Sequence, residues 1–365
     1  MIRVMRFKPE IEHLPPYKPA KLIGGPSATM VKLSSNENPL GPSPHALAAL
    51  QSAITQVHRY PDASCVALRQ ALADHAGLTV GHVMCSNGSD ELVLLISLAF
   101  LGAGDEAVMA DGTFISYRLR TLELGAQPVR VALRAYTHDL AAMAAAITAR
   151  TRVIFLCNPN NPTGTANGAA EVAAFLAQVP DDVLVVVDEA YIEFAVRPDY
   201  PDLLVALRAG RPNLVLLRTF AKIHGLAGLR LGYAYGPPAL IAYLERARLP
   251  FNVNLLAQLA GVAALGDSEH VARSRAHATA SRAFFVEQLQ AMGLVPLPSE
   301  TNFVAVAVGD DNAVSDGLQA RGFTVTPLGG WGLPGLIRIS FGTTEQNHAF
   351  IAALRAVLAA RTNDG

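Results

Sequence analysis

Three short runs of aliphatic residues stand out in the middle of the chain: VIFLC (153–157), VLVVV (183–187) and LVLL (214–217). Each run is apolar at consecutive positions, which is typical of a strand covered by helices on both faces. Two stretches with helical spacing, 169–178 and 201–209, separate the runs. The alternation predicts βαβ units and therefore a parallel sheet.

The pattern changes at both ends of this region. The first 45 residues are rich in proline and glycine and lack helical periodicity, which predicts an extended arm. Helical spacing at 45–54 and 65–77 follows the arm. From about 254 a helical segment continues past Gly266 to about 292. Strand-like pieces and a last helix then follow, at 302–308, 322–328, 336–342 and 348–361.

These patterns predict an α/β protein in three parts. An N-terminal arm (1–45) precedes a large domain (46–253), whose mainly parallel central sheet lies between helices. A smaller α+β domain (254–365) completes the chain.

Composition narrows the class of protein. The chain has 365 residues, of which 51% are hydrophobic and 16% are charged, so it is too apolar for a disordered protein. Lysine and arginine total 29 against 30 acidic residues, for a net charge of −1. This balance supplies no basic field for nucleic acid or anionic lipid, so we expect small-molecule substrates.

Cysteine usage and hydropathy predict a cytoplasmic protein. The three cysteines (Cys65, Cys85 and Cys157) are odd in number and widely spaced, so they predict neither a disulfide framework nor a CxxC site. The N-terminal residues lack the apolar segment of a secretion signal. The longest apolar run (92–103) is shorter than the roughly 20 residues that a membrane span requires.

Chemically active residues follow each buried run, where ligands bind in open parallel sheets. Asn161 lies in the NPNNPTG segment after the first run, and Asp188 and Tyr191 follow the second. Lys222 follows the third and is the only lysine after Lys32. Taken alone, Asp188 is also compatible with a strand-end cap.

The segment SNGSD (86–90) precedes a predicted helix. A glycine turn at a helix start exposes backbone N–H groups that suit a phosphate. Ser89 or Asp90 acting as an ordinary helix cap explains the same residues.

A lysine, an acid and a phosphate site are the requirements of pyridoxal phosphate chemistry. The motifs NPNNPTG, DEAY and TFAK, with an arginine eight residues after the lysine, resemble the fold-type I aminotransferases. Further segments match in the same order from Tyr17 to the end of the chain, so the chain resembles the histidinol-phosphate aminotransferase family. These segments are LSSNENPLGPSP, HRYPD, NGSDE and GLAGLRLGY.

The resemblance implies pyridoxal 5'-phosphate as cofactor and a role for each matching residue. Lys222 would be the Schiff-base lysine, and Asp188 would hold the ring nitrogen protonated. Asn161 and Tyr191 would bind the ring hydroxylate. Phe114 would stack on the ring. The predicted phosphate contacts are Gly88, Ser89, Asp90, Thr219 and Arg230, together with Tyr60 of a second subunit, so the resemblance also implies a homodimer.

The implied reaction is the exchange of an amino group between histidinol phosphate (or imidazole acetol phosphate in reverse) and 2-oxoglutarate or glutamate, in histidine biosynthesis. The substrate-binding residues implied are Tyr17, Asn38, Asn161 and Arg338.

Two positions depart from the family pattern. Ala221 stands where many relatives have serine, and Thr326 stands where the family pattern GxxVRP has an arginine. That arginine helps to bind the substrate's phosphate, so Arg338 is the remaining anion-binding candidate. Arg338 lies between two isoleucines on a strand-like run, which is equally compatible with a solvent-facing side chain.

Other functions stay open at this level. One is an aminotransferase for another amino acid, such as an aromatic one; a second is a lyase similar to the phosphothreonine decarboxylases. A transcriptional regulator needs a DNA-binding extension for which the arm leaves no room. The segment GAGDEA (102–107) matches a dinucleotide pattern but follows a helix rather than a strand. The ten histidines show no metal-ligand spacing, so we expect no metal site.

Overall fold

The computed structural model of the chain describes residues 8–12, 14 and 30–363. Most of the predicted arm, including Tyr17, lies outside the described residues. The helices are α1 (Pro9–Glu12), α2 (Pro44–Ala53), α3 (Val66–Ala76), α4 (Ser89–Phe100), α5 (Ile115–Glu123), α6 (Leu140–Ala145), α7 (Ala169–Leu176), α8 (Leu204–Arg208), α9 (Pro238–Leu244), α10 (Leu255–Leu265), α11 (Ser268–Gln290), α12 (Asp311–Gln319) and α13 (Thr344–Asn363). The strands are β1 (Val31–Lys32), β2 (Val83–Ser86), β3 (Glu106–Ala110), β4 (Gln127–Val131), β5 (Thr151–Cys157), β6 (Leu184–Asp188), β7 (Leu214–Thr219), β8 (Gly232–Tyr235), β9 (Phe303–Ala307), β10 (Phe323–Thr324), β11 (Thr326–Pro327) and β12 (Leu336–Ser340).

Seven strands form the central sheet in the order β2-β8-β7-β6-β5-β3-β4. Strands β3 to β7 pair in parallel, whereas β8 is antiparallel to both of its neighbours, β2 and β7. Because β8 is reversed relative to each, β2 and β7 run in the same direction. Every strand of the sheet except β8 therefore ends at the same edge.

The central strands contain consecutive apolar runs because each face of the sheet packs into its own core. Alternate side chains of a strand point to opposite faces. The first core holds Val185, Val187, Leu214 and Leu216, with side chains of α3, α7 and α10. The second holds Leu184, Val186, Val215 and Leu217, with side chains of α4, α5 and α9.

The C-terminal part is a second layer of strands and helices. β11, β12 and β9 form an antiparallel sheet, while β1 from the arm pairs in parallel with β10. Their core joins helices α11, α12 and α13 and also includes Leu33, Tyr191 and Ile223 from the rest of the chain. The described end of the arm around Leu33 and the loops after β6 and β7 are thus packed against this layer.

The helical segment predicted from 254 to 292 is wrong as a single helix, because it is two helices. Asp267 separates them: its carboxylate accepts the backbone N–H of His270 (3.0 Å) and the hydroxyl of Ser43 (2.6 Å). The first of the two, α10, packs on α2 and α3 within a core of the large domain. The predicted boundary after 253 therefore separates α10 from the elements against which it packs.

Within the described ranges, no helix is long and apolar enough to cross a membrane.

Candidate active site

The residues that follow the three buried runs meet at the edge where the parallel strands end. β6 ends at Asp188, Lys222 follows β7, and Asn161 follows β5. Ser89 begins the helix after β2, and Arg230 precedes the reversed strand β8 at the same edge. Strand direction therefore explains why residues far apart in sequence lie together.

A cavity of about 150 Å³ lies at this edge. Its lining includes all of the predicted cofactor contacts from this chain, together with Cys157, Ala190 and Ala221. The predicted contacts that line it are Gly88, Ser89, Asp90, Phe114, Asn161, Asp188, Tyr191, Thr219, Lys222 and Arg230.

One wall of the cavity combines a helix start with an arginine. Gly88 occupies the cap position of α4 with φ of 78°, and no side chain caps the helix there. A Cβ atom on Gly88 would lie 2.6 Å from Nη2 of Arg230, so only glycine lets the guanidinium lie against the helix start. The alternative reading of Ser89 or Asp90 as the helix cap is therefore wrong. The exposed N–H groups and Arg230 are groups that can bind an anion together.

Thr219 also lines this wall, but its hydroxyl is occupied within the loop. Its oxygen accepts the N–H of Ala221 (3.0 Å), and its proton is donated to the carbonyl of Leu231 (3.2 Å). Ala221 itself has no hydroxyl. The hydroxyl proton of Thr219 therefore turns away from an anion in the cavity.

Asp188 is a buried carboxylate with two donors. The hydroxyl of Tyr117 donates to its Oδ2 (2.7 Å), and the N–H of Ala190 donates to its Oδ1 (3.1 Å). Burial raises the pKa of Asp188 to about 6, and these two hydrogen bonds oppose that rise. The carboxylate is therefore held in one orientation, with a pKa above its usual range.

The amine of Lys222 is held by the arm. Its Nζ donates to the carbonyl of Ser35 (3.1 Å). The pKa of Lys222 is lowered to about 8, mainly by burial. The guanidinium of Arg338 and, to a smaller extent, that of Arg230 contribute to this lowering. An amine with this pKa is unprotonated far more often near neutral pH than an ordinary lysine.

Arg338 is buried rather than solvent-facing, with only 5% of its surface exposed. Its Nη1 donates to Oδ1 of Asn161 (2.5 Å), and its Nη2 donates to the carbonyl of Ser34 (2.6 Å) and to Oγ1 of Thr326 (3.1 Å). Its Nε is buried without a partner. An unpaired donor on a buried cation marks a place that an anionic or carbonyl oxygen can fill.

Aromatic rings surround this polar group. The guanidinium of Arg338 lies 5.4 Å from the ring centre of Phe303 and 5.6 Å from that of Trp331. Trp331 in turn lies 6.4 Å from Phe114, which precedes α5 and lines the cavity. The glycine-rich segment around Trp331 thus packs beside the site.

Two predicted residues, Asn38 and Tyr60, are not part of the cavity lining. The side chain of Asn38 donates to the carbonyl of Ile223 (2.8 Å) and to Ser274 (2.9 Å), which ties the arm to the loop after Lys222. Tyr60 is 82% exposed and stacks on Phe251, with ring centres 4.6 Å apart. Tyr17 lies outside the described residues. The roles predicted for these three residues stay predictions.

Two residues of the site were missed from the sequence. Tyr117 lies one helical turn after Phe114, and this aromatic spacing at a helix start is a signal that could have indicated it. The amide of Asn36 donates to the hydroxyl of Tyr191 (2.9 Å). The sequence SSNENP offers no means of choosing between Asn36 and Asn38, so this contact required the structure.

The fold and the site define a class of enzyme, and comparison with known proteins agrees. The family described as aminotransferase class I and II matches residues 28–354. The chain therefore belongs to the class I and II aminotransferases, and the predicted fold class is confirmed.

Several relatives that match nearly the whole chain share the name histidinol-phosphate aminotransferase. The histidinol-phosphate aminotransferase of Moorella thermoacetica is 44% identical over 98% of this chain and 94% of its own length. Histidinol-phosphate aminotransferase 2 of Ralstonia nicotianae is 45% identical over 97% of this chain and 98% of its own. A crystal structure of the Sinorhizobium meliloti histidinol-phosphate aminotransferase with pyridoxal-5'-phosphate has a TM-score of 0.87, at 30% identity over 98% of each chain. The predicted resemblance to this family is confirmed.

Proposed function

We propose that this chain is a pyridoxal phosphate-dependent aminotransferase of histidine biosynthesis, acting in the cytoplasm. It exchanges the amino group of histidinol phosphate with 2-oxoglutarate. The observation that carries the proposal is Lys222, a lysine of lowered pKa in a cavity that also holds a buried acid and an anion-binding wall.

The residues of the cavity fit the cofactor. The wall made by Gly88, Ser89 and Arg230 supplies backbone donors and a guanidinium for a phosphate, and no side chain caps the helix start. Asp188 supplies a buried carboxylate for a pyridinium nitrogen. Asn161 and Tyr191 supply polar groups for a ring oxygen. Phe114 supplies an aromatic face.

When bound, pyridoxal phosphate supplies an aldehyde carbon and a ring that withdraws electrons from the substrate's α-carbon. Asp188 keeps the ring nitrogen protonated, because a charged carboxylate in a buried site is stabilised by a cation beside it. Tyr117 keeps that carboxylate in place. The amine of Lys222, when free, would act as the general base that removes the proton from the substrate's α-carbon.

Arg338 and Asn161 are the residues that we assign to the substrate's anionic group. Their mutual hydrogen bond (2.5 Å) and the contact of Arg338 with Thr326 (3.1 Å) place three polar groups together beside the cavity. A phosphate of charge near −2 is best met by two cations, and Thr326 contributes none. We therefore expect Arg338 to carry most of that charge.

A homodimer is part of the proposal. Large exposed apolar residues lie on α2, α3 and α10, where α10 packs against both other helices, and in the loops that carry Tyr60 and Phe251. Exposed apolar patches mark protein interfaces. We propose that a second copy of this chain covers these residues, because Tyr60 would then reach the partner's cofactor phosphate. The large exposed apolar residues of these helices and loops are Leu47, Ile54, Val57, Tyr60, Val66, Leu249, Phe251, Leu259 and Val262.

A product assay tests the function. The chain, loaded with pyridoxal phosphate, is incubated with histidinol phosphate and 2-oxoglutarate, and imidazole acetol phosphate and glutamate are measured. Equal amounts of the two products are expected. In parallel assays, histidine or phenylalanine replaces histidinol phosphate as the amino donor, and the release of carbon dioxide is measured. Faster conversion of phenylalanine would replace the substrate assignment, and release of carbon dioxide would replace the aminotransferase reaction.

A further inference from the structure

Asn36 is a buried polar residue to which the chemistry above gives no role. Its side-chain nitrogen donates to the hydroxyl of Tyr191 (2.9 Å), and its side-chain oxygen accepts from the hydroxyl of Ser340 (2.7 Å). Its backbone N–H donates to the same Ser340 oxygen (2.8 Å), and Asn302 donates to its carbonyl (3.0 Å). Asn36 is 2% exposed, so these four bonds fix its orientation.

The hydrogen bonds with Ser340 define which way the amide of Asn36 faces. The Ser340 oxygen accepts the backbone N–H of Asn36, and its own proton then goes to the side-chain oxygen of Asn36. The amide nitrogen consequently faces Tyr191. The backbone of Asn36 has a φ of 55°, a left-handed conformation that asparagine tolerates better than most residues.

The amide nitrogen of Asn36 decides how Tyr191 uses its only proton. A phenolic hydroxyl has one proton to donate and lone pairs with which to accept. Since Tyr191 accepts from Asn36, its own proton remains available. Among the residues that the structure describes, none accepts this proton, and Tyr191 lines the cavity.

We propose that Asn36 is a positioning residue that makes Tyr191 a hydrogen-bond donor to the bound cofactor. The inference rests on the proposed function, because the acceptor is the ring oxygen of pyridoxal phosphate. A donor stabilises the charged form of that oxygen. Asn36 therefore acts through Tyr191 to keep the bound cofactor in its deprotonated form near neutral pH.

The test is a pH titration of the visible absorbance of the loaded protein. Asn36→Gly retains the left-handed backbone but removes the amide. We expect the pKa of the bound cofactor to rise by about a few tenths of a pH unit, because a hydroxyl that no longer accepts a hydrogen bond is a weaker donor. Tyr191→Phe loses the donor itself and is expected to raise that pKa by about one unit. In a Tyr191→Phe background, Asn36→Gly is expected to cause no further shift, because the group through which it acts is absent.

Asn302→Ala is the matched structural control. It removes a hydrogen bond to the backbone of Asn36 and leaves the amide of Asn36 and Tyr191 in place. We expect a lower melting temperature and an unchanged cofactor pKa. An equal shift in Asn302→Ala, or additive shifts of Asn36→Gly and Tyr191→Phe, would overturn the inference. If the wild-type chain binds no pyridoxal phosphate, the proposed function itself fails, which is a separate outcome.

Discussion

The hydroxyl of Tyr117 donates a 2.7 Å hydrogen bond to Oδ2 of Asp188, and both residues are buried. Tyr117 is held from the other side by the ring of Phe155, stacked with centres 4.8 Å apart. Asp188, at the end of β6, is thus oriented by a side chain of α5, the helix that follows β3. This relationship leads to the first prediction.

Tyr117→Phe is expected to weaken the binding of pyridoxal phosphate about tenfold. The variant removes a donor to a buried carboxylate, and such a hydrogen bond contributes about 1.5 kcal/mol or more. Without it, burial raises the pKa of Asp188 further, so less of the carboxylate is charged at neutral pH. The measurement is a titration of the cofactor-free chain with pyridoxal phosphate, followed by absorbance.

Tyr235→Phe is the control for this change. Tyr235 is also buried in the central sheet, but its hydroxyl donates to the carbonyl of Leu72 on the other side of the sheet from Tyr117. Its loss is expected to lower stability and to leave cofactor affinity within about twofold of wild type. Equal affinity of Tyr117→Phe and wild type would contradict the role assigned to Tyr117.

The second prediction concerns Lys222 in the cofactor-free chain. Its pKa is about 8 in the folded chain against an ordinary value of 10.5, so the folded state holds this proton less tightly than the unfolded state. Between pH 8 and 10.5 the unfolded state binds more protons, and stability contributed by this group rises with pH. Lys222→Met is therefore expected to be more stable than wild type at pH 7, with the gap closing towards pH 10.

Urea unfolding at pH 7, 8.5 and 10 measures that gap. Lys32→Met, which removes a solvent-exposed lysine, is the control and should follow the wild-type pH dependence. Lys222→Arg, in a separate measurement, is expected to gain no visible band with pyridoxal phosphate and to lose turnover. Normal turnover by Lys222→Arg would end the assignment of this lysine.

The third prediction concerns Tyr60 and the proposed dimer. If Tyr60 completes the partner's site, mixtures of Tyr60→Phe and Lys222→Ala chains form hybrid dimers with one intact site. Random reassociation makes half of the dimers mixed, so about a quarter of the wild-type activity is expected. Activity assays after mild dissociation and mixing measure the recovery.

Tyr136→Phe, an exposed tyrosine elsewhere, replaces Tyr60→Phe in the control mixture. That mixture is expected to show the activity of its Tyr136→Phe sites alone, before and after reassociation. Full activity of chains that sediment as monomers would contradict the proposed shared site.

The fourth prediction concerns Thr326, whose hydroxyl accepts from Arg338 and donates to the carbonyl of Ser34 (2.9 Å). Thr326→Arg places a second cation beside a buried one, which is unfavourable until an anion binds. We expect about tenfold tighter binding of histidinol phosphate and less change for glutamate. Steady-state KM values and the rise in melting temperature with inorganic phosphate measure the effect.

Asn312→Arg adds the same charge at an exposed position of α12 and is the control for non-specific attraction. It should leave both KM values unchanged. Equal tightening of glutamate and histidinol phosphate by Thr326→Arg would show that position 326 does not face the substrate's phosphate.

Much of this protein follows from the sequence by itself. Consecutive apolar runs at 153–157, 183–187 and 214–217 predict the central strands, because a strand packed on both faces has no polar side. The residues after those runs predict Asn161, Asp188 and Lys222 at one edge, because parallel strands end together. The single lysine after Lys32 makes Lys222 the proposed nucleophile without any structure.

Other features were decided only by tertiary packing. A sequence period does not tell whether Arg338 faces solvent or a core, and the structure buries it against Phe303 and Trp331. The hydrogen bonds of Tyr117 with Asp188 and of Asn36 with Tyr191 join positions 71 and 155 residues apart. Such contacts depend on how separate elements are stacked, which local pattern does not encode, because hydrogen-bond geometry is set to within a few tenths of an ångström.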